Sequence, residues 1–192
     1  MSKYTSEFTS LNGVSYKVEI TTEKGNNTEV FTLGGNPFVT SMDSDGKTIY
    51  APIKTTGATI EMITPNLKYD IYSANAQGTK VKLTNQNTNK VEWIGYVTPC
   101  AYTQDWDEDR EVMEIEAVDG IASLKEVPYR TSNKDINTFL QIIFKCLQKC
   151  KCYRYLYVND NVALSAADTQ CILEKLRISE ANFFDKKDYE AE

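Results

Sequence analysis

The feature that most constrains this chain is a period-two alternation that recurs through its first two thirds. Val14, Tyr16, Val18 and Ile20 interleave with Ser15, Lys17, Glu19 and Thr21, so an extended backbone puts one set on an apolar face and the other in water. Glu23-Lys24-Gly25-Asn26-Asn27 supplies a turn, and the run Thr28 to Leu33 resumes extended structure until Gly34-Gly35-Asn36-Pro37 breaks it. Asp43-Ser44-Asp45-Gly46 reads as a hairpin turn before a β-rich run from Thr48 to Ile53. Alternation returns at Ala58, Ile60 and Met62, at Thr79, Val81 and Leu83, and at Met113, Ile115 and Ala117. A polar turn, Asn85 to Asn89, leads into Val91–Val97. Many short strands without long intervening helices define a barrel or a sandwich.

The period then changes. Asp119 is placed to cap a short helix from Ile121 to Glu126, which Pro128 stops. Beyond it, Ile136, Phe139, Leu140, Ile143, Phe144 and Leu147 follow the i, i+3, i+4, i+7 spacing of an amphipathic helix. Ser132 is its expected N-cap, with Asp135 in the first turn where a negative charge favours the helix dipole. Tyr153, Tyr155 and Tyr157 alternate as in a strand, and Thr169 to Leu176 reads as a short helix. The expectation is a mainly β domain over residues 1–130 and the start of a second, helix-containing α+β domain over residues 131–192. The charged stretch after Phe183-Phe184 supplies no closing element, which marks that second domain as truncated.

Composition limits the chemistry. There is no histidine, which removes the commonest general base near neutral pH and the commonest metal ligand. A serine or cysteine nucleophile therefore needs some other activating base. The net charge of −6 argues against sequence-specific or general nucleic-acid binding, whose affinity comes largely from Lys and Arg on phosphates, and against docking on anionic membranes. No apolar run reaches the roughly 18 residues that span a bilayer, and the N-terminus lacks the apolar core of a secretory signal. Cys100, Cys146, Cys150, Cys152 and Cys171 are odd in number and do not read as a disulfide framework. Cys146, Cys150, Cys152 and Cys171 also lack the paired C-x-x-C knuckles of structural zinc sites.

One segment raises a catalytic question. Asp105, Asp107, Glu108 and Asp109 crowd around Trp106, with Arg110 and Glu111 following. Asp107 and Asp109 share a parity and form the one candidate for a glycosidase pair, which needs one carboxyl group kept protonated by burial opposite a second. So dense a run of acids reads more simply as a hydrated loop. For calcium, the alternate acids Asp105, Asp107 and Asp109, and likewise Asp43 and Asp45, lack the glycine and bidentate glutamate of an EF-hand loop. Trp93, Tyr96, Tyr102 and Trp106 raise the idea of a sugar- or base-stacking platform. Trp93 and Tyr96 differ in strand parity and face opposite sides, so Trp93 belongs to the core, which leaves Tyr102 and Trp106 for partner contact. Gly34-Gly35 is no phosphate loop, since no lysine follows at the needed position.

A further set of residues forms a familiar order. Trp93-Ile94-Gly95-Tyr96 closes a strand, and Tyr102 to Glu111 form an aromatic and acidic loop. Ala117-Val118-Asp119-Gly120-Ile121-Ala122-Ser123-Leu124-Lys125 ends the next strand, and Val127-Pro128-Tyr129 follows. This order resembles phage and prophage tail proteins of the hub or baseplate type. Phe8 through Ile20 is similar to their opening hairpin and Pro52 to Ile63 to their next strand pair.

The resemblance implies a split β-barrel of the tail-tube or hub kind, followed by an amphipathic helix and a short strand. It implies a structural virion component, made in the host bacterial cytoplasm and assembled as a homo-oligomeric ring with other phage tail proteins around the DNA conduit. It carries over no catalytic residue, cofactor or metal. Under it, Asp119 and Gly120 are a structural corner, and Tyr102, Trp106, Asp107 and Asp109 lie in a loop that contacts solvent or a neighbouring subunit. Two other readings stand beside it: a glycan-binding β-domain for host-surface recognition through Tyr102 and Trp106, and a tail-associated hydrolase using Asp107 and Asp109.

Overall fold

The computed structural model describes residues 1–42, 54–64, 69–99, 111–129, 136–152 and 172–179. The chain divides into two units, Met1–Glu126 and Val127–Glu192.

The first unit is a nearly closed, barrel-like, mostly antiparallel sheet. Its strands are β1 (Lys3–Thr9), β2 (Ser15–Thr22), β3 (Thr28–Val30), β4 (Thr32–Leu33), β5 (Val39–Met42), β6 (Thr56–Thr64), β7 (Thr79–Asn85), β8 (Lys90–Val97) and β9 (Glu111–Asp119). Eight of them follow one path, β3-β1-β2-β7-β8-β9-β6-β4, and β5 pairs separately with β6. Single 3-10 turns occupy Tyr69–Ile71 and Ala122–Glu126.

The alternation read from the sequence places the core. Val18 and Ile20 of β2, Val81 and Leu83 of β7, Ala58, Ile60 and Met62 of β6, and Met113, Ile115 and Ala117 of β9 are buried in one cluster with Tyr4, Phe31, Ile71, Trp93 and Val97. Each fully buried aliphatic side chain contributes about 1.5–3 kcal/mol relative to exposure, so this interior is the main stabilising term. The opposite parity is not uniformly wet. Glu19, on the outer face, is 8% exposed because Lys3 (2.6 Å), Lys82 (2.5 Å) and Lys17 (3.8 Å) converge on its carboxylate. Burial by itself raises its pKa, but the hydrogen bonds and charges of Lys3 and Lys82 prevail and hold it at about 2.

Barrel closure depends on one short segment. The run from Thr28 to Leu33, expected as one strand, is two. Thr28–Val30 pairs in parallel with Lys3–Thr5 of β1, while Thr32 and Leu33 pair antiparallel with Ile63 and Met62 of β6. Phe31 sits at the changeover, where its N–H donates to the Thr5 carbonyl at 3.1 Å. A second irregularity lies between β7 and β8. Thr84 pairs with Val91 and Leu83 with Trp93, so Glu92 is the extra residue of a bulge.

In the second unit the structure corrects two expectations. The helix, α1, runs from Phe139 to Cys150 and does not start after Ser132. Thr138 is its N-cap, its hydroxyl accepting from Gln141 N (3.2 Å) while the Gln141 side chain accepts from Thr138 N (2.9 Å). This capping box fixes the start, and Ile136–Thr138 instead forms β10, paired antiparallel with β11 (Arg177–Ser179). The buried face is also rotated. Ile142 and Cys150 are buried, whereas Ile136 is 67% and Phe144 42% exposed. Phe139, Leu140, Ile143 and Leu147 of the stripe are half-buried, and Cys150 joins the buried side because cysteine behaves as a small hydrophobe. A short helix, α2 (Ile172–Lys175), precedes β11. The alternating tyrosines at 153–157 and the Phe183-Phe184 segment lie outside the described residues, as does the run from Thr48 to Ile53.

Candidate functional site

The site that can be built from the described residues is the corner where β8, β9 and β6 meet. β8 and β9 share only a short ladder, Gly95–Val97 against Asp119–Ala117, extended by Thr98 N to Glu116 O at 2.9 Å. So short a ladder leaves the end of β9 in need of side-chain anchors, and the sequence provides them.

Asp119 ends β9 and accepts three hydrogen bonds from protein donors. Oδ2 takes the Thr56 N–H (2.5 Å) and the Thr56 hydroxyl (2.9 Å), and Oδ1 takes the Ala122 N–H (2.8 Å). The first two fasten β9 to the start of β6. The third caps the turn at Ala122–Glu126, one residue later than the helix start read from the sequence. Trp93 completes the knot. Its indole Nε1–H donates to Thr56 Oγ1 at 3.1 Å, so a relay runs from Trp93 through Thr56 to Asp119 and spans three adjacent strands. The indole also packs edge-on against Phe38, with ring centroids 5.7 Å apart.

Gly95 makes this arrangement possible. Trp93 and Gly95 share one strand face, and a Cβ at Gly95 would overlap both the Trp93 ring and the Val118 carbonyl oxygen. With no side chain there, the ring lies along its own strand and covers the glycine backbone. Gly120 is buried, and its carbonyl accepts from the Ser123 hydroxyl at 2.8 Å, while Gln77 Nε2 donates to Ser123 Oγ at 3.2 Å. Asp119 and Gly120 are thus held at a strand-to-turn corner.

Trp93 and Tyr96, read as facing opposite sides, are both buried, at 8% and 2% exposure. Trp93 belongs to the core cluster and Tyr96 does not. The loop residues Tyr102, Trp106, Asp107 and Asp109 lie outside the described residues, as do Asp43, Asp45, Cys100 and Cys171. Among the described residues no group of three or more Cys, Asp or Glu is arranged to hold a metal ion. Burial raises the Cys146 pKa, which disfavours the reactive thiolate, and Cys150 Sγ donates to the Cys146 carbonyl at 3.7 Å. No described helix is long and apolar enough to cross a membrane.

The sequence reading missed Thr56, which both donates to and accepts from the corner, and the seam between β1 and β4. That seam is a groove of about 730 Å³, and its floor includes Phe8, Phe31 and Leu33. Its far end is fixed by Glu61, which accepts from Asn36 N (2.8 Å) and Asn36 Nδ2 (3.2 Å). These bonds, the backbone N–H foremost, hold the Glu61 pKa below the usual carboxylate range. The Gly34-Gly35-Asn36-Pro37 break was the available signal.

No family model, curated protein or solved structure matches the chain.

Proposed function

We propose that this protein is a non-enzymatic structural component of a phage or prophage tail, near the hub or baseplate, assembling with other tail proteins around the DNA conduit. One observation carries the reading. The motifs behind the resemblance, Trp93-Ile94-Gly95-Tyr96 and Ala117-Val118-Asp119-Gly120, supply Trp93, Gly95 and Asp119 to one load-sharing corner. Motifs committed to fastening neighbouring strands of the sheet suit a scaffold.

In this proposal the first unit is a split barrel of the tail-tube or hub kind, and free strand edges other than the β1–β4 seam meet neighbouring subunits. Such pairing also removes the aggregation hazard of exposed edges. The net charge of −6 suits a wall along which DNA passes without sticking. Electron microscopy of the protein, alone and with the products of adjacent genes, tests the proposal. Closed rings or a defined hub complex are expected. A monomer under all these conditions contradicts it, and so does polysaccharide hydrolysis that Asp107→Asn abolishes.

A further inference from the structure

The strongest feature outside the corner is the place where the barrel fails to close. Along β1, Thr22 N donates to Ser2 O and Ser10 N to Val14 O. In an antiparallel ladder the bonding residues alternate, so Ser2, Tyr4, Ser6, Phe8 and Ser10 direct their backbone groups toward β2. The odd residues point the other way. Lys3 N donates to Asn27 O and Thr5 O accepts from Phe31 N, which uses the first part of that edge. Beyond Thr5, the backbone N–H and C=O groups of Glu7 and Thr9 face the seam, and no described strand pairs with them.

The opposite bank has the same character. Gly34 N donates to Glu61 O, so Thr32 and Gly34 face β6, and the backbone of Leu33 turns toward the seam. Between the banks lies the groove already described. Phe8 and Leu33 are half-buried against the core, and Phe31 is part of it, so the inner side is apolar. Leu11, which also lines it, is fully exposed.

We propose that this seam is a binding site for an extended, basic segment of a partner polypeptide, which adds as a strand to the free edge of β1. The unpaired edge calls for a strand. The apolar inner side selects alternating apolar residues, inserted over Phe8, Phe31 and Leu33. The charge selects the flanks: Glu7, whose Oε1 accepts from Gln86 Nε2 at 2.7 Å and which stands opposite Lys17, carries the only charge among the described residues lining the groove, and the chain as a whole is −6. Like charge disfavours a second copy as occupant, and lysine or arginine on the incoming segment is favoured. The site goes beyond the tail reading and does not depend on it.

The test uses a labelled synthetic peptide of alternating valine and threonine with a lysine at each end. Two control peptides replace the lysines with glutamate or N-methylate alternate amides. Fluorescence anisotropy is expected to show saturable binding of the lysine peptide. Its amide exchange signature is protection of Glu7 and Thr9. Losing the ladder bonds, by N-methylation or by Thr9→Pro in the protein, weakens binding about tenfold or more. Thr9→Pro removes a seam-facing N–H and leaves the β1–β2 ladder intact, so the fold serves as its own control.

Absence of binding by the lysine peptide overturns the proposal, as does equal binding by the N-methylated peptide. Equal binding by the glutamate peptide overturns its charge selectivity. Protection of Glu7 and Thr9 that rises with protein concentration alone assigns the seam to a second copy and overturns the partner assignment. Ring formation without peptide binding leaves the tail reading standing and removes this one, and the reverse result does the opposite.

Discussion

At the Asp119 corner three neighbouring strands are fastened by side chains, and at the β1–β4 seam the described link is one backbone bond from Phe31, the residue before β4. The corner has a short ladder between β8 and β9, yet Trp93, Thr56 and Asp119 tie it across β6, β9 and β8. The seam has Phe31 N to Thr5 O, after which no described strand pairs with the facing edges of β1 and β4. The difference teaches that closure of this sheet is local chemistry and not a property of strand number. Where a tryptophan, a threonine and an aspartate converge, a short ladder suffices, and where a glycine-rich break follows two paired residues, the sheet stays open.

Removing the indole breaks the comparison most forcefully. Trp93→Ala empties a buried aromatic site and strands Thr56, and is expected to cost about 3–5 kcal/mol in urea unfolding. Asp119→Ala leaves the Thr56 and Ala122 N–H groups without their acceptor and is expected to cost about 2 kcal/mol. Asp119→Asn retains only part of the acceptor set and should fall between this variant and the natural protein. An Asp119→Ala variant as stable as the natural chain would reduce the corner to ordinary packing.

The outer face sharpens the contrast by testing the paired edge of β1. The Glu19 pKa is depressed from 4.5 to about 2 when folded. Its contribution is therefore complete above pH 4.5 and lost as pH falls through the folded value of about 2. The lysines are partly exposed, so solvent screening limits the effect to about 1–2 kcal/mol. Glu19→Gln should flatten that part of the stability–pH curve. The smallest effect is expected at the seam itself. Thr9→Pro should change stability by less than about 0.5 kcal/mol, since its N–H lies outside the β1–β2 ladder.

Much of this architecture is legible in the residues. The alternations at Val18–Ile20, Ala58–Met62, Val81–Leu83 and Met113–Ala117 name the buried faces because period two maps directly onto the sides of a strand. Asp119 was readable as a cap because cap chemistry is local. The role of Thr56 was not, since it depends on β6 lying beside β9, a contact between residues 63 positions apart. The changeover at Phe31 was hidden for the same reason: alternation marks an extended chain but not which strand it joins. In the second unit the helix start was hidden because a Thr-x-x-Gln capping box at Thr138 sets it, and the stripe named the buried side only in part, since Phe144 is exposed and Cys150 buries as readily as a larger apolar residue.

Residue-resolved hydrogen exchange on the unliganded protein reads both regions at once. The account predicts slow exchange of the Thr56 amide, bonded to Asp119, and fast exchange of the Glu7, Thr9 and Leu33 amides at the open edge. Strong protection of those three at every protein concentration, or a Thr56 amide that exchanges as freely as they do, would contradict it.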